Sequence, residues 1–108
     1  MYAWMQDVPI GRPVYDKNVA GLGDDVPEGL MLHVALERED GTLRYLDLWQ
    51  DRASCDRFTE ERLHPVVGPA LQAADIHPDR EPPRVEMGFV GMWGSALTEA
   101  VGEVVTRS

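Results

Sequence analysis

The stretch that decides the fold is residues 41–65, which read Gly-Thr-Leu-Arg-Tyr-Leu-Asp-Leu-Trp-Gln-Asp-Arg-Ala-Ser-Cys-Asp-Arg-Phe-Thr-Glu-Glu-Arg-Leu-His-Pro. From residue 43 onward two sets of side chains alternate, with the two-residue period of a β-strand that ends at Trp49. Asp51 then suits the start of a helix, because its side chain can accept hydrogen bonds from free backbone N–H groups. Apolar residues follow at helical spacing. The stretch therefore predicts a strand that leads directly into a helix.

The segments on either side complete an α+β pattern. The predicted elements are a strand over 2–8, a helix over 13–22, strands over 30–38 and 43–50, a helix from 52 or 53, a strand over 84–93 and a last short helix that Ser95 could cap. This β-α-β-β-α-β order predicts a ferredoxin-like fold, in which two helices cover one face of a four-stranded antiparallel sheet. We assign residues 1–94 to this domain and residues 95–108 to an extra C-terminal helical tail.

Pro65 lies inside the second long predicted helix. A proline in a helix removes one backbone hydrogen bond, and its ring clashes with the preceding turn. We therefore expect a kink near residues 61–65, or two helical pieces.

Composition limits the classes of function. A chain of 108 residues with 44% hydrophobic residues can form one globular domain. The net charge of −9 argues against nucleic acid or an anionic membrane as a partner, because both attract basic surfaces. Cys55 is the only cysteine, so no intrachain disulfide can form. With neither an apolar run of about 18 residues nor a signal-peptide pattern, we expect a cytoplasmic protein.

A family resemblance rests on the order of several short segments. They are Pro-Glu-Gly-Leu-Met-Leu-His-Val-Ala (27–35), Asp-Gly (40–41), Leu-Asp-Leu-Trp-Gln-Asp-Arg (46–52) and Phe-Thr-Glu-Glu-Arg-Leu (58–63) followed by Pro65. Over most of residues 2–92 the chain resembles the dimeric α+β barrel proteins, and most closely their antibiotic-biosynthesis-monooxygenase-like branch. The resemblance implies a homodimer in which the exposed sheet face packs against a second copy. It implies cofactor-free oxygenation of aromatic polyketides, polyketide cyclisation or haem degradation as activities.

Haem degradation does not fit the residues at the relevant positions. Relatives with that activity carry a tryptophan on the second long helix and an iron-binding histidine about three turns later, whereas this chain has Phe58 and Gly68 there. His64 lies one turn short of the second position. The three histidines also lack the spacing of a metal site, and no complete phosphate-binding glycine loop occurs. We therefore expect neither a metal nor a cofactor.

The hairpin between the second and third strands decides which side chains share a face. In a hairpin with a three-residue loop around Asp40-Gly41, the residue numbers of each directly opposite pair add up to an even number. A two-residue loop gives an odd sum and would put His33 opposite Leu48. With the even sum, one face carries only apolar residues of the second strand together with Leu46 and Leu48. We expect the helices to cover this uniformly apolar face. The opposite face would carry His33, Tyr45, Asp47 and Trp49 towards the second sheet.

These side chains suggest acid/base chemistry on a planar ligand. We assign His33 as the general base and Asp47 as the carboxylate that orients it. We expect Trp4, Tyr45, Trp49 and Glu86 to bind the substrate, and we assign Tyr15 on the first helix to the core. The hypothesis is a small homodimeric enzyme of secondary metabolism that holds an aromatic or polyketide-like molecule between sheet and helices. It would catalyse cofactor-independent oxygenation or acid/base cyclisation.

The alternative is a ligand-binding or structural dimer without turnover. In that case the same face is an interface, and His33 and Asp47 merely satisfy each other or the backbone. An open cavity beside His33 would favour the enzyme, whereas a filled interior would exclude it.

Overall fold

In a computed structural model of the chain, which describes residues 1–76 and 81–93, the elements follow the predicted order. They are β1 (Tyr2–Val8), α1 (Arg12–Leu22), β2 (Leu30–Glu37), β3 (Leu43–Trp49), α2 (Arg52–Phe58), a π-helical turn (Thr59–Leu63), α3 (His64–Ala73) and β4 (Val85–Met87). The predicted C-terminal helix from Ser95 lies outside the described residues.

The four strands form one antiparallel sheet in the order β2-β3-β1-β4. Together with two helical segments this confirms the predicted α+β fold, and the arrangement is compatible with a ferredoxin-like fold. The last strand is shorter than predicted, since only Val85–Met87 pair with β1. Gly88 and Gly91 follow directly, and glycine has no side chain to pack against a sheet. Trp93 at the end of this stretch is 97% exposed.

The second helical segment is irregular at the place where Pro65 predicts it. Asp51 caps its start, and its carboxylate accepts a 2.7 Å hydrogen bond from the backbone N–H of Ser54. The helix continues through the π-helical turn, where the N–H of His64 donates to the carbonyl of Thr59 five residues earlier. Pro65 has no backbone N–H and cannot make the usual helical hydrogen bond. The wider π-helical turn directly before it lets the helix continue without that bond.

The hairpin has the three-residue loop that the even sum requires. The N–H of Gly41 donates to the carbonyl of Arg38 over 3.0 Å, and the N–H of Arg38 donates to Thr42 over 2.8 Å. Gly41 has a φ of +86°, which glycine adopts without a steric penalty. His33 is consequently paired with Asp47, so the predicted pairing is confirmed.

The predicted orientation of the sheet is wrong. The face that carries His33, Tyr45, Asp47 and Trp49 lies against the helices, whereas Leu46 and its neighbours lie on the face that points away. We call these the inner and outer faces. The reason is the size of the inner side chains. Trp4 and Trp49 are only 6% and 1% exposed, and burying two indole rings removes more apolar surface than burying leucines of the same strands would.

Two clusters of buried residues lie on the inner side, and Leu48 of the outer face is also buried, at 6% exposed. Trp4, Trp49 and Cys55 form the first, which joins β1 and β3 to α2. The second consists of Ile10, Tyr15 and Leu43, which join the start of α1 to the first residue of β3. Tyr45 packs against both clusters. The sheet and the helices are thus held together at two places, with Tyr45 between them.

The outer face is uniformly aliphatic apart from one ion pair. Its apolar members in the four strands are Ala3, Met5, Leu32, Val34, Leu36, Leu46, Leu48, Val85 and Met87. Leu36, Val85 and Met87 are 47%, 52% and 46% exposed. Within the part of the chain that the structure describes, no helix covers this face.

Candidate active site

A cavity of about 430 Å³ lies between the inner face of the sheet and the helices. This volume is in the range of sites for small organic molecules. Most of its wall is aromatic or aliphatic, with a few polar side chains among them. The lining includes Trp4, Tyr15, Asn18, His33, Tyr45, Asp47, Trp49, Phe58, Leu63, Val67 and Leu71.

Three polar side chains form a hydrogen-bonded chain along the wall of this cavity. Tyr15 Oη lies 2.9 Å from His33 Nε2, and His33 Nδ1 lies 2.6 Å from Asp47 Oδ1. The second carboxylate oxygen of Asp47 accepts a 3.0 Å hydrogen bond from the indole N–H of Trp49. We call the series Tyr15–His33–Asp47 the relay. Trp49 and His33 together hold the Asp47 carboxylate at both of its oxygens.

The chemistry of the groups determines where the protons of the relay lie. A carboxylate only accepts hydrogen bonds, so the proton between His33 and Asp47 belongs to Nδ1. In the neutral imidazole Nε2 is then an acceptor, and the hydroxyl of Tyr15 donates to it. The lone pair of His33 is therefore directed at Tyr15. Both ring nitrogens of His33 are thus engaged within the relay, and the Tyr15 side chain lines the cavity.

The backbone positions all members of the relay. His33 and Asp47 are direct partners of neighbouring antiparallel strands, an arrangement in which side chains lie close together on the same face. Tyr15 comes from the first turn of α1, where Pro13 follows Arg12 at the start of the helix, a place that tolerates proline. Asp47 is 8% exposed, whereas the His33 side chain is 21% exposed. The anchoring carboxylate is thus buried, and the imidazole remains partly accessible.

Tyr45 forms an aromatic wall beside the relay. Its ring centroid lies 5.1 Å from that of His33, edge to face, and 5.7 Å from that of Tyr15. Burial raises the pKa of Tyr45, and the nearby Tyr15 and Asp47 raise it further. Tyr45 therefore stays a neutral phenol at ordinary pH. It contributes shape and aromatic surface rather than a mobile proton.

Another part of the cavity wall is formed by a cluster around Trp4. The indole N–H of Trp4 donates to Cys55 Sγ over 3.4 Å, and the guanidinium of Arg84 lies 4.8 Å from the centre of a Trp4 ring. Arg84 also donates to Thr59 Oγ1 over 2.8 Å and lies 3.3 Å from Asp56. Burial raises the pKa of the Cys55 thiol, which keeps it protonated. Cys55 is therefore a packing group.

The structure brings five of the six predicted site residues to this cavity. They are Trp4, His33, Tyr45, Asp47 and Trp49. Glu86 does not line the cavity. This residue lies on the short strand β4, where it is exposed and lines a neighbouring surface groove that shares Thr59 and Arg84 with the cavity wall. Its carboxylate accepts a 2.9 Å hydrogen bond from Tyr2 Oη and lies 3.4 Å from Arg52.

Two buried residues of α1 that line the cavity had no predicted role in the site. Tyr15 was expected in the core, where it does lie, but it also reaches the cavity; Asn18 had no assigned role. They lie three positions apart and so share one face of the helix. The sequence did contain one indication of this. A helix face that only packs in the core would carry an apolar residue three positions after Tyr15, whereas this chain has Asn18 there.

Comparison with known proteins gave no match to a family model, to a curated protein or to a solved structure. The resemblance to the dimeric α+β barrel proteins therefore stays a prediction. Among residues 1–76 and 81–93, no helix is long and apolar enough to cross a membrane. The same residues contain no group of three or more potential side-chain ligands for a metal ion.

Proposed function

We propose that the chain is a small acid/base enzyme of secondary metabolism, which acts on an aromatic or polyketide-like molecule in the inner cavity. The observation that carries this proposal is the relay, which ends at the wall of an aromatic-lined cavity. A tyrosine, a histidine and a buried carboxylate in hydrogen-bonded order can move a proton to or from a bound molecule. An aromatic lining favours planar ligands, because ring faces and edges pack well against one another.

The proposed catalytic step is proton abstraction through Tyr15. As the substrate gives its proton to Tyr15 Oη, the hydroxyl proton of Tyr15 moves to His33 Nε2. The imidazolium that results is stabilised by the carboxylate of Asp47 at 2.6 Å. His33 thus acts as the base, as its sequence context predicts, and it acts by way of Tyr15 rather than directly on the substrate.

Two reactions can follow from the carbanion or enolate. In oxygenation, an activated CH₂ group and O₂ give a C=O group and one water, and the substrate itself supplies the electrons. In cyclisation, the carbanion attacks a carbonyl carbon of the same molecule, a C–C bond forms, and the carbonyl oxygen takes a proton back from the relay. Neither reaction requires a protein-bound cofactor.

The proposed enzyme is a homodimer that associates through the outer face. This proposal is supported by the half-exposed apolar side chains on that face, of which Leu36, Val85 and Met87 are examples. A continuous exposed apolar surface on a small domain is typical of an interface. Two copies that pack their sheets together would form the barrel that the resemblance implies.

The test uses anthrone, a planar ketone whose CH₂ group lies between two aromatic rings and is readily deprotonated. Oxygen consumption and anthraquinone formation would be followed for the wild type and for the Tyr15→Phe and His33→Ala variants. We expect both substitutions to lower the turnover rate about a hundredfold or more. Tyr2→Phe is the matched control, because the Tyr2 hydroxyl binds Glu86 outside the cavity. Undiminished turnover in both relay variants would exclude the proposed mechanism.

The alternative function is a ligand-binding or structural dimer without turnover. The observation in its favour is that Tyr15, His33 and Asp47 also satisfy one another in the absence of a ligand. This alternative predicts that the wild type binds planar aromatic molecules but converts none of them. In that case Tyr15→Phe would change stability and affinity only.

A further inference from the structure

Among the described residues, one buried side-chain oxygen on the wall of the inner cavity has no hydrogen-bond partner. Asn18 is 5% exposed and lines the cavity on α1, three residues after Tyr15. Its side-chain oxygen is buried and has no hydrogen-bond partner among the described residues. The polar side chains of Tyr15, His33 and Asp47, which also line the cavity, hydrogen bond within the relay.

An unpaired amide oxygen at this position lowers stability. Buried polar atoms are almost always hydrogen-bonded, because the loss of water is otherwise uncompensated. A leucine has a similar volume and would fill the same space without that penalty. Asn18 therefore costs stability without a gain in packing, and such a conflict between local chemistry and burial is typical of functional positions.

We infer that Asn18 recognises the ligand by accepting a hydrogen bond from a hydroxyl or N–H group of the bound molecule. This inference rests on the proposed function of the cavity and specifies its substrate class as hydroxylated aromatic compounds. Tyr15 and Asn18 lie on adjacent turns of one helix face, about 5–6 Å apart at their Cβ atoms. A planar molecule that lies along α1 therefore meets the relay with one part and Asn18 with another. Rotation about the last side-chain bond of Asn18 turns its oxygen towards the ligand.

The experiment compares 2-naphthol with 2-methoxynaphthalene. Both have the same ring system and an oxygen at the same position, but only the naphthol can donate a hydrogen bond. Affinities would be measured by equilibrium dialysis near neutral pH, where the naphthol is neutral. For each protein, the affinity for the naphthol is divided by the affinity for the methyl ether. We expect this ratio to be roughly three- to tenfold larger for the wild type than for the Asn18→Leu variant.

Two further measurements separate recognition from a general effect on the fold. Asn18→Leu is expected to raise the melting temperature of the unliganded protein, since it removes the unpaired oxygen. Lys17→Leu is the matched control on the exposed side of the same helix, and it should leave the ratio of the two affinities unchanged. Asn18→Ala provides a second variant without the amide, with the same expected loss of preference.

The outcomes distinguish this inference from the proposed function. If the wild type and both Asn18 variants show the same ratio of affinities, Asn18 does not recognise the ligand, while the cavity remains a binding site. If the wild type binds neither compound, the proposed function and this inference are both wrong. A lower ratio in both Asn18 variants but not in Lys17→Leu supports the assignment.

Discussion

The inner and outer faces of the sheet each carry a carboxylate paired with a basic side chain, but in different surroundings. On the inner face Asp47 is buried, and both of its oxygens accept hydrogen bonds, from His33 and from Trp49. On the outer face Arg44 holds Asp7 with two bonds of 2.6 and 3.1 Å, in contact with solvent. The two pairs look equally well formed by distance. Burial makes the inner pair the more important one for stability.

The comparison also shows that the more apolar face of a sheet need not be the covered one. The outer face is almost entirely aliphatic, whereas the inner face mixes large aromatic rings with buried polar groups. Helices cover the inner face because the two indole rings there bury the most surface. Among residues 1–76 and 81–93 no helix covers the aliphatic face, which is the observation behind the proposed dimer.

The largest expected effect is that of removing the inner carboxylate. Asp47→Ala leaves the Nδ1 of His33 and the indole N–H of Trp49 without their acceptor in a buried site. We expect the free energy of unfolding, measured by urea denaturation, to fall by about 3 kcal/mol. Asp7→Ala on the outer face is the control, and its effect should be close to the error of the measurement, because solvent screens exposed pairs. Equal losses in the two variants would contradict the distinction between the faces.

The next effect concerns the fit of α2 over the inner face. Gly29 has a φ of +87°, and a Cβ atom there would lie 2.6 Å from Cβ of Ser54 in the first turn of α2. Gly41 has nearly the same φ, +86°, but open space around it. We expect Gly41→Ala to cost about 1 kcal/mol of unfolding free energy from conformation alone, and Gly29→Ala about 2 to 3 kcal/mol.

Thermal or urea unfolding of these two variants separates the steric part from the conformational part. The difference between their losses of unfolding free energy reports the steric cost of the close approach between Gly29, directly before β2, and α2. If Gly29→Ala and Gly41→Ala cost the same, the close contact with Ser54 contributes nothing, and the helix can shift freely over the inner face.

The smallest expected effect is on association through the outer face. Val85 on β4 and Val26 in the loop before β2 are 52% and 50% exposed, so they are matched in type and exposure. We expect Val85→Glu to raise the dimer dissociation constant at least about tenfold, or about 1.4 kcal/mol, because it places a charge in the apolar interface. Val26→Glu should leave it unchanged. A wild type that sediments as a monomer at micromolar concentration would exclude the proposed dimer.

The local parts of the fold could be predicted from sequence because local chemistry determines them. Asp40-Gly41 indicates a tight hairpin loop, Asp51 a helix cap and Pro65 an irregular helix, and each effect acts within a few residues. The pairing of His33 with Asp47 followed from the loop length. The face on which this pair lies could not be predicted, because it depends on which layer buries more surface in the folded chain.

The candidate site was predictable to the extent that its residues share the strand pattern. Tyr45, Asp47 and Trp49 alternate along one strand, so sequence alone places them on one face. His33 joins them only with a three-residue hairpin loop, and the sequence left a two-residue loop open. Tyr15 comes from a helix that packs over these strands, and no local pattern gives its distance from His33. Glu86 shares the inner side of the sheet with Trp4, but the edge position of β4 directs it to Tyr2 and Arg52 at the surface.

The π-helical turn at Thr59–Leu63 determines which residues of the second helical segment reach the cavity. A regular α-helix rotates its face by about 40° for every step of four residues, so a line of side chains four apart gradually turns away. The π-helical turn contains one residue more than an α-helical turn and therefore rotates the chain less per residue, which offsets this drift. Thr59, Leu63, Val67 and Leu71 all line the cavity as a result. The irregularity next to Pro65 thus keeps one side of the second helical segment towards the cavity.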